Sequence, residues 1–165
     1  MYNNISSPTV TNCTFSGNEA EYGGGAYNYY YSNPTVTNCT FSGNTATTYG
    51  GGMENISSNP TVINCIFSGN YADHDGGGMD NYESDPTVTN CTFSDNTATD
   101  YGGGMNNIWS NPTITNCILW GNSSVLDGNE IYNDGSTPTV TYSCIHGGYE
   151  GEGNIDIDPL FVDAD

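Results

Sequence analysis

The chain has 165 residues, 19 Asp and Glu, no Lys or Arg, and a formal charge of −19. With only two histidines as side-chain cations, salt bridges can contribute almost nothing, and self-repulsion must be offset by counter-ions. Nucleic acid and anionic membrane surfaces are excluded as electrostatic partners, and no apolar run is long enough to insert into a membrane as a helix.

An internal period dominates the rest. Prolines stand at Pro8, Pro34, Pro60, Pro86, Pro112 and Pro138, each 26 residues after the last. The consensus reads roughly P-T-V-T-N-C-T-F-S-G-N-T-A-T-x-Y-G-G-G-M-x-N-x-x-S-N. Gly, Asn, Thr and Pro interrupt it every few residues, which disfavours helix and suits short strands joined by tight turns.

In chain order, Pro8 to Thr11 reads as a strand with Val10 inward and its threonines outward. Cys13 to Phe15 reads as a second strand with Cys13 and Phe15 inward. The parity changes across Asn12, which marks a corner, since Asn tolerates the left-handed backbone that a corner needs. "SGN" makes the next turn, and the glycine triplet with its methionine forms a third strand. One such coil cannot bury its own apolar face, but stacked coils can. Stacking aligns Val10, Val36, Val62, Val88, Ile114 and Val140 in one inward column. Cys13, Cys39, Cys65, Cys91 and Cys117 form another, and Phe15, Phe41, Phe67 and Phe93 a third. The expected fold is all-β: a right-handed parallel β-solenoid of about six 26-residue coils over residues 1–146, with 147–165 as a partial capping segment. The apolar run from Pro159 to Val162 is expected to fold over the last coil as its lid.

The first triplet, Gly23 to Gly25, comes one residue early, and the stretch after it, "AYNYYYSN", is one residue longer. The period therefore survives, with the slack confined to loops. Met1 stands seven residues before Pro8, where Met53, Met79 and Met105 stand before their own prolines. The chain thus starts in mid-repeat and reads as a piece of something longer. An in-register column suits the geometry of disulfides poorly, so the cysteines are expected to be buried free thiols, with Cys144 off the column.

"FSGN" followed by "GGGA" or "GGGM" resembles the FxxN and GGA[ILV] pair of bacterial polymorphic membrane proteins. That resemblance implies a surface β-helix and an adhesin. The tail, "NCILWGN…GNEIYN…YSCIHGG…GNIDIDPLFVD", is similar to the last coils of large secreted β-helix proteins with a choice-of-anchor domain. It implies a secreted or cell-surface location and a chain that continues toward an anchor.

Chemistry-bearing residues are sparse. Lyase action on uronic acids generally needs a cation and often a basic residue; hydrolysis needs convergent carboxylates. No column repeats a carboxylate, so no catalytic residue is assigned and no cofactor is required. The best local cluster is "ADHDGGGMD", where Asp73 and Asp75, with Asp100 one coil on, could hold Ca2+ through oxygen ligands. Outward T-x-T rungs also resemble ice-binding faces, although Ile63 breaks the array. Surface aromatics, chiefly Tyr29, Tyr30, Tyr31 and Trp109, are candidates for stacking on a glycan or anchoring a protein partner. A solenoid that exposes uncapped strand edges can also take itself as a partner, head to tail, and grow into a filament.

Overall fold

The computed structural model describes residues 1–161. It contains four parallel sheets and, among the described residues, no helix, hence none long and apolar enough to cross a membrane. Six coils stack in register. Each coil crosses four walls in turn, and each wall takes its name from its inward residue.

The methionine wall comprises Tyr2–Asn4, Ala26–Tyr29, Met53–Ile56, Met79–Tyr82, Met105–Ile108 and Ile131–Asp134. The valine wall comprises Thr9–Thr11, Thr35–Thr37, Thr61–Ile63, Thr87–Thr89, Thr113–Thr115 and Thr139–Thr141. The phenylalanine wall runs from Thr14–Ser16 through Thr40–Ser42, Ile66–Ser68, Thr92–Ser94 and Ile118–Trp120 to Cys144–Ile145. A fourth, alanine wall has five strands, among them Glu19–Tyr22, Thr45–Tyr49 and Tyr71–Ala72.

The fourth wall corrects the three-strand coil expected from the repeat. Its strands are as short as two residues and turn only one alanine inward, at Ala46, Ala72 and Ala98, too little apolar character to read as a strand. The glycine triplet is likewise a corner rather than a strand, and the strand starts at the methionine. Gly51 shows why no side chain fits there: a Cβ would lie 2.5 Å from the carbonyl oxygens of Gly77 on the next coil and of Tyr71.

The expected inward columns form the core. Val36, Val62, Val88, Ile114, Phe41, Phe67, Phe93 and Cys39 through Cys117 are buried, while Val10 and Phe15, on the first coil, are partly buried and Cys13 is exposed. The Phe rings stack nearly parallel, with centroids 4.7, 4.7 and 4.6 Å apart from Phe15 to Phe93. All six cysteines are free thiols. Each cysteine amide from Cys13 to Cys91 donates to the next thiol at 3.4 Å, and Ser143 continues the column by accepting from the Cys117 amide. Asn12, Asn38, Asn64, Asn90 and Asn116 turn the corner with φ between 53° and 55°.

Two buried asparagine ladders tie the coils together. Asn3, Asn28, Asn55, Asn81 and Asn107 each donate Nδ2–H to the side-chain carbonyl of the next asparagine at 2.8–2.9 Å, and the last, Asn133, donates to the Tyr149 hydroxyl. Asn18, Asn44, Asn70, Asn96 and Asn122 repeat this at 2.8–2.9 Å. From Asn44 onward, each Nδ2 also reaches the Phe carbonyl of the coil before. Buried amides carry this cost only because every partner is supplied by the next coil.

The expected lid is corrected. Leu160 is 75% and Phe161 51% exposed, and Val162 lies outside the described residues. The last coil is covered instead by the segment before them. Tyr149 packs on the core, the Ile145 amide donates to the Ile155 carbonyl, and the Ile155 amide donates to the Ser143 carbonyl.

Candidate functional site

The compensated slip of the first repeat has a structural consequence. Ala26 pairs with Met53, 27 residues on, whereas Thr35 pairs with Thr61, 26 on. The missing residue is absorbed at an irregularity between Ala20 and Tyr22. The extra one emerges after Tyr29, where Tyr30 and Tyr31 both adopt positive φ, 51° and 56°, at a corner that Ser57 turns alone on the next coil. Two consecutive non-glycine residues in this region are strained, and both rings project outward, Tyr31 being 69% exposed.

These tyrosines lead into a cleft of 460 Å³ on the outer side of the methionine wall. Three columns build it. The second residue of each strand gives Tyr27 after Ala26, Glu54 after Met53 and Asp80 after Met79; the residue two further on gives Tyr29, Ile56, Tyr82 and Ile108. The residue before each glycine triplet gives Tyr22, Tyr49 and Asp75. The corner folds back across the wall: a Cβ on Gly50 would meet Cβ of Glu54 at 2.8 Å, and one on Gly76 would meet Cβ of Asp80 at 2.6 Å. An outward-facing carboxylate is therefore covered by its own loop. Glu54 is 1% and Asp80 3% exposed.

No cation of the chain meets them. Asp80 Oδ1 accepts from Asn106 Nδ2 at 2.6 Å, whereas Glu54 Oε2 and Asn106 Oδ1 are buried with no hydrogen-bond partner among the described residues. Burial, then the Asp80 charge, pushes the Glu54 carboxyl well above the ordinary range, and burial lifts Asp80 to about 7. Burial first, with Glu54 next, raises the Tyr27 phenol to about 12. The rings form a continuous run: Tyr30 to Tyr29 at 5.4 Å, Tyr29 to Tyr27 and Tyr27 to Tyr22 at 5.7 Å, and Tyr22 to Tyr49 at 6.2 Å.

The expected Ca2+ trio does not converge. Asp100 is taken by His74 at 2.9 Å, Asp75 turns into the cleft and accepts from the Tyr101 amide, and Asp73 points to solvent. No group of three or more His, Cys, Asp or Glu among the described residues is arranged to hold a metal ion. Trp109 is 57% exposed and sits edge-on to Tyr82 at 5.5 Å, at the rim of the same wall. Of the binding candidates, Tyr29 lines the cleft, while Tyr30 and Tyr31 extend it outward. Sequence reasoning missed Glu54 and the joining of Asp80 with the tyrosines. Both stand at positions where the repeats differ from one another, which is the signal that would have found them.

Among family models, one described as a right handed beta helix region matches residues 1–80, and the Chlamydia polymorphic membrane protein repeat matches residues 90–104. No curated protein matches the chain. The second match falls on "NCTFSDNTATDYGGG", the stretch that carries the corner asparagine, the Phe rung and a glycine corner. Four parallel in-register sheets make the fold a parallel β-helix, in agreement with the right handed beta helix match, and the coil at residues 90–104 is similar to the polymorphic membrane protein repeat.

Proposed function

We propose that the chain is a non-catalytic adhesive scaffold, displayed outside the cell or on its surface, that engages a glycan or protein through the tyrosine-rich side of its methionine wall. One observation carries this. The outward positions of the valine wall repeat almost unchanged as Thr, and those of the phenylalanine wall as Thr and Ser apart from Ile66, Ile118 and Trp120. The tyrosines Tyr22, Tyr27, Tyr29, Tyr49 and Tyr82, by contrast, gather around the methionine wall. Aromatic residues concentrated on one face of a rigid rod suit a recognition surface on a scaffold. Surface display is supported by the polymorphic membrane protein repeat. The test is binding of the labelled chain to glycan and peptide arrays, alongside the triple variant Tyr29→Ala, Tyr30→Ala, Tyr31→Ala. Capture by the wild type and its loss in the variant is the expected result. Capture that ignores the tyrosines, or no capture at all, overturns it.

A second reading rests on the in-register parallel sheets, whose edge strands carry the same hydrogen-bonding ladder as their inner strands. Unpaired parallel edges accept another coil in register, and a second copy stacked there would extend the rod into a filament. At a charge of −19, salt or Ca2+ would favour such stacking by screening. Electron microscopy with Ca2+ and with chelator tests this: fibres support it, and short rods in both conditions end it.

A further inference from the structure

We infer that the cleft is a receptor site for a primary ammonium group, as carried by a lysine side chain or an amino sugar, with Glu54 as its buried acceptor and Tyr27, Tyr29 and Tyr49 as its aromatic walls. This deepens the adhesive reading and rests on it, because it names the chemistry that the partner must bring.

Three observations converge. First, Glu54 lines the cleft, is almost wholly buried, and leaves Oε2 without a donor among the described residues. The neighbouring Asp80 carboxyl can share a proton with it, but the chain has no Lys or Arg to bring it a cation. Second, the Asp75 and Asp80 carboxylates line the same cleft beside Glu54, so a donor with several N–H bonds, as an ammonium has three, can meet more than one acceptor there. Third, tyrosine rings stand beside the carboxylates. Tyr27 and Tyr49 flank Glu54, and ring faces attract organic cations, whereas Ca2+ demands six to eight oxygen ligands. A quaternary ammonium would find the rings but has no N–H for Glu54.

The site also carries its own proton linkage. Without a ligand, Glu54 and Asp80 relieve their repulsion by holding a proton, and Asp80 releases one at about 7. Asp75, from the corner above, adds a like charge, while the phenols of Tyr22, Tyr27 and Tyr49 are pushed upward and stay neutral. Entry of an ammonium takes the place of that proton. Binding of a lysine ammonium, which stays protonated throughout, is accordingly about tenfold tighter at pH 8 than at pH 6.

The experiment is a calorimetric and NMR titration of the full chain with Nα-acetyl-lysine methylamide and with glucosamine. Tetramethylammonium, N-acetylglucosamine and CaCl2 serve as comparisons, and each titration is repeated with Glu54→Gln. Expected are binding of at least one primary amine, proton release on binding, and a loss of tenfold or more in Glu54→Gln while its Tm rises. Binding of the lysine derivative alone assigns a protein partner, and binding of glucosamine alone assigns an amino-sugar glycan. Three results overturn the inference: neither amine binds, Glu54→Gln binds as well as the wild type, or tetramethylammonium or Ca2+ binds more tightly than both amines. Array capture that still depends on the tyrosines, with no amine binding, would end this inference and leave the adhesive reading standing.

Discussion

The valine wall and the methionine wall are built on the same backbone ladder, yet only one of them carries a site. On the valine wall a single inward Val or Ile alternates with two solvent-facing residues, nearly all threonine, and nothing crosses over its outer face. On the methionine wall three of every four residues are buried at the middle coils, because the glycine corner arches back over the outer side. A corner without side chains gives the loop its close approach, and that approach turns a surface position into a covered one. The cleft is thus a by-product of a device whose first task is stacking.

Substitutions sharpen that contrast, the largest effect first. Phe67→Ala, in the middle of the ring stack, is expected to cost about 3–5 kcal/mol in chemical unfolding, because rings on both sides hold the void open. Amine and array binding of the remaining folded protein should be unchanged.

Glu54→Gln should act in the opposite direction and stabilise. The sign follows from linkage. The folded Glu54 and Asp80 carboxyls titrate above their unfolded values, so the native state holds extra protons. Stability is therefore greatest near the unfolded carboxylate range and falls as pH rises through about 7. Wild-type Tm should drop between pH 5 and 8, and Glu54→Gln should flatten that drop. A wild-type Tm that climbs over this window would contradict the buried pair.

Asn70→Ala removes one rung of a ladder and orphans the Asn44 amide and the Phe41 carbonyl. A loss of about 1–3 kcal/mol is expected, read by thermal unfolding. Thr87→Ser, on the open valine wall, should change stability by less than about 0.5 kcal/mol and leave binding intact. If it weakened binding as much as Tyr29→Ala, the division of labour between walls would be wrong.

Much of this was legible because a period multiplies weak signals. One Val between two threonines is a poor strand, but six in step specify a column, and the Asn corners follow from a change of parity beside a residue that tolerates left-handed backbone. The alanine wall was not legible, since strands of two to five residues around one small side chain carry no periodicity. Nor was the failure of the Asp73, Asp75 and Asp100 trio, because spacing places residues on neighbouring coils without saying which way each loop side chain turns. The exposed Leu160 and Phe161 show the same limit: apolar content does not say where a segment packs.

By itself, the sequence determined the repeat, the parallel stacking, the inward columns and the absence of any internal cation, because each depends on residue type recurring at a fixed interval. Only the tertiary structure decided that Glu54 and Asp80 are buried on the outside of a wall. Their environment is set by glycine corners folding back from residues before them and by tyrosines on neighbouring coils, and such contacts between coils have no signature in the order of residues along one of them.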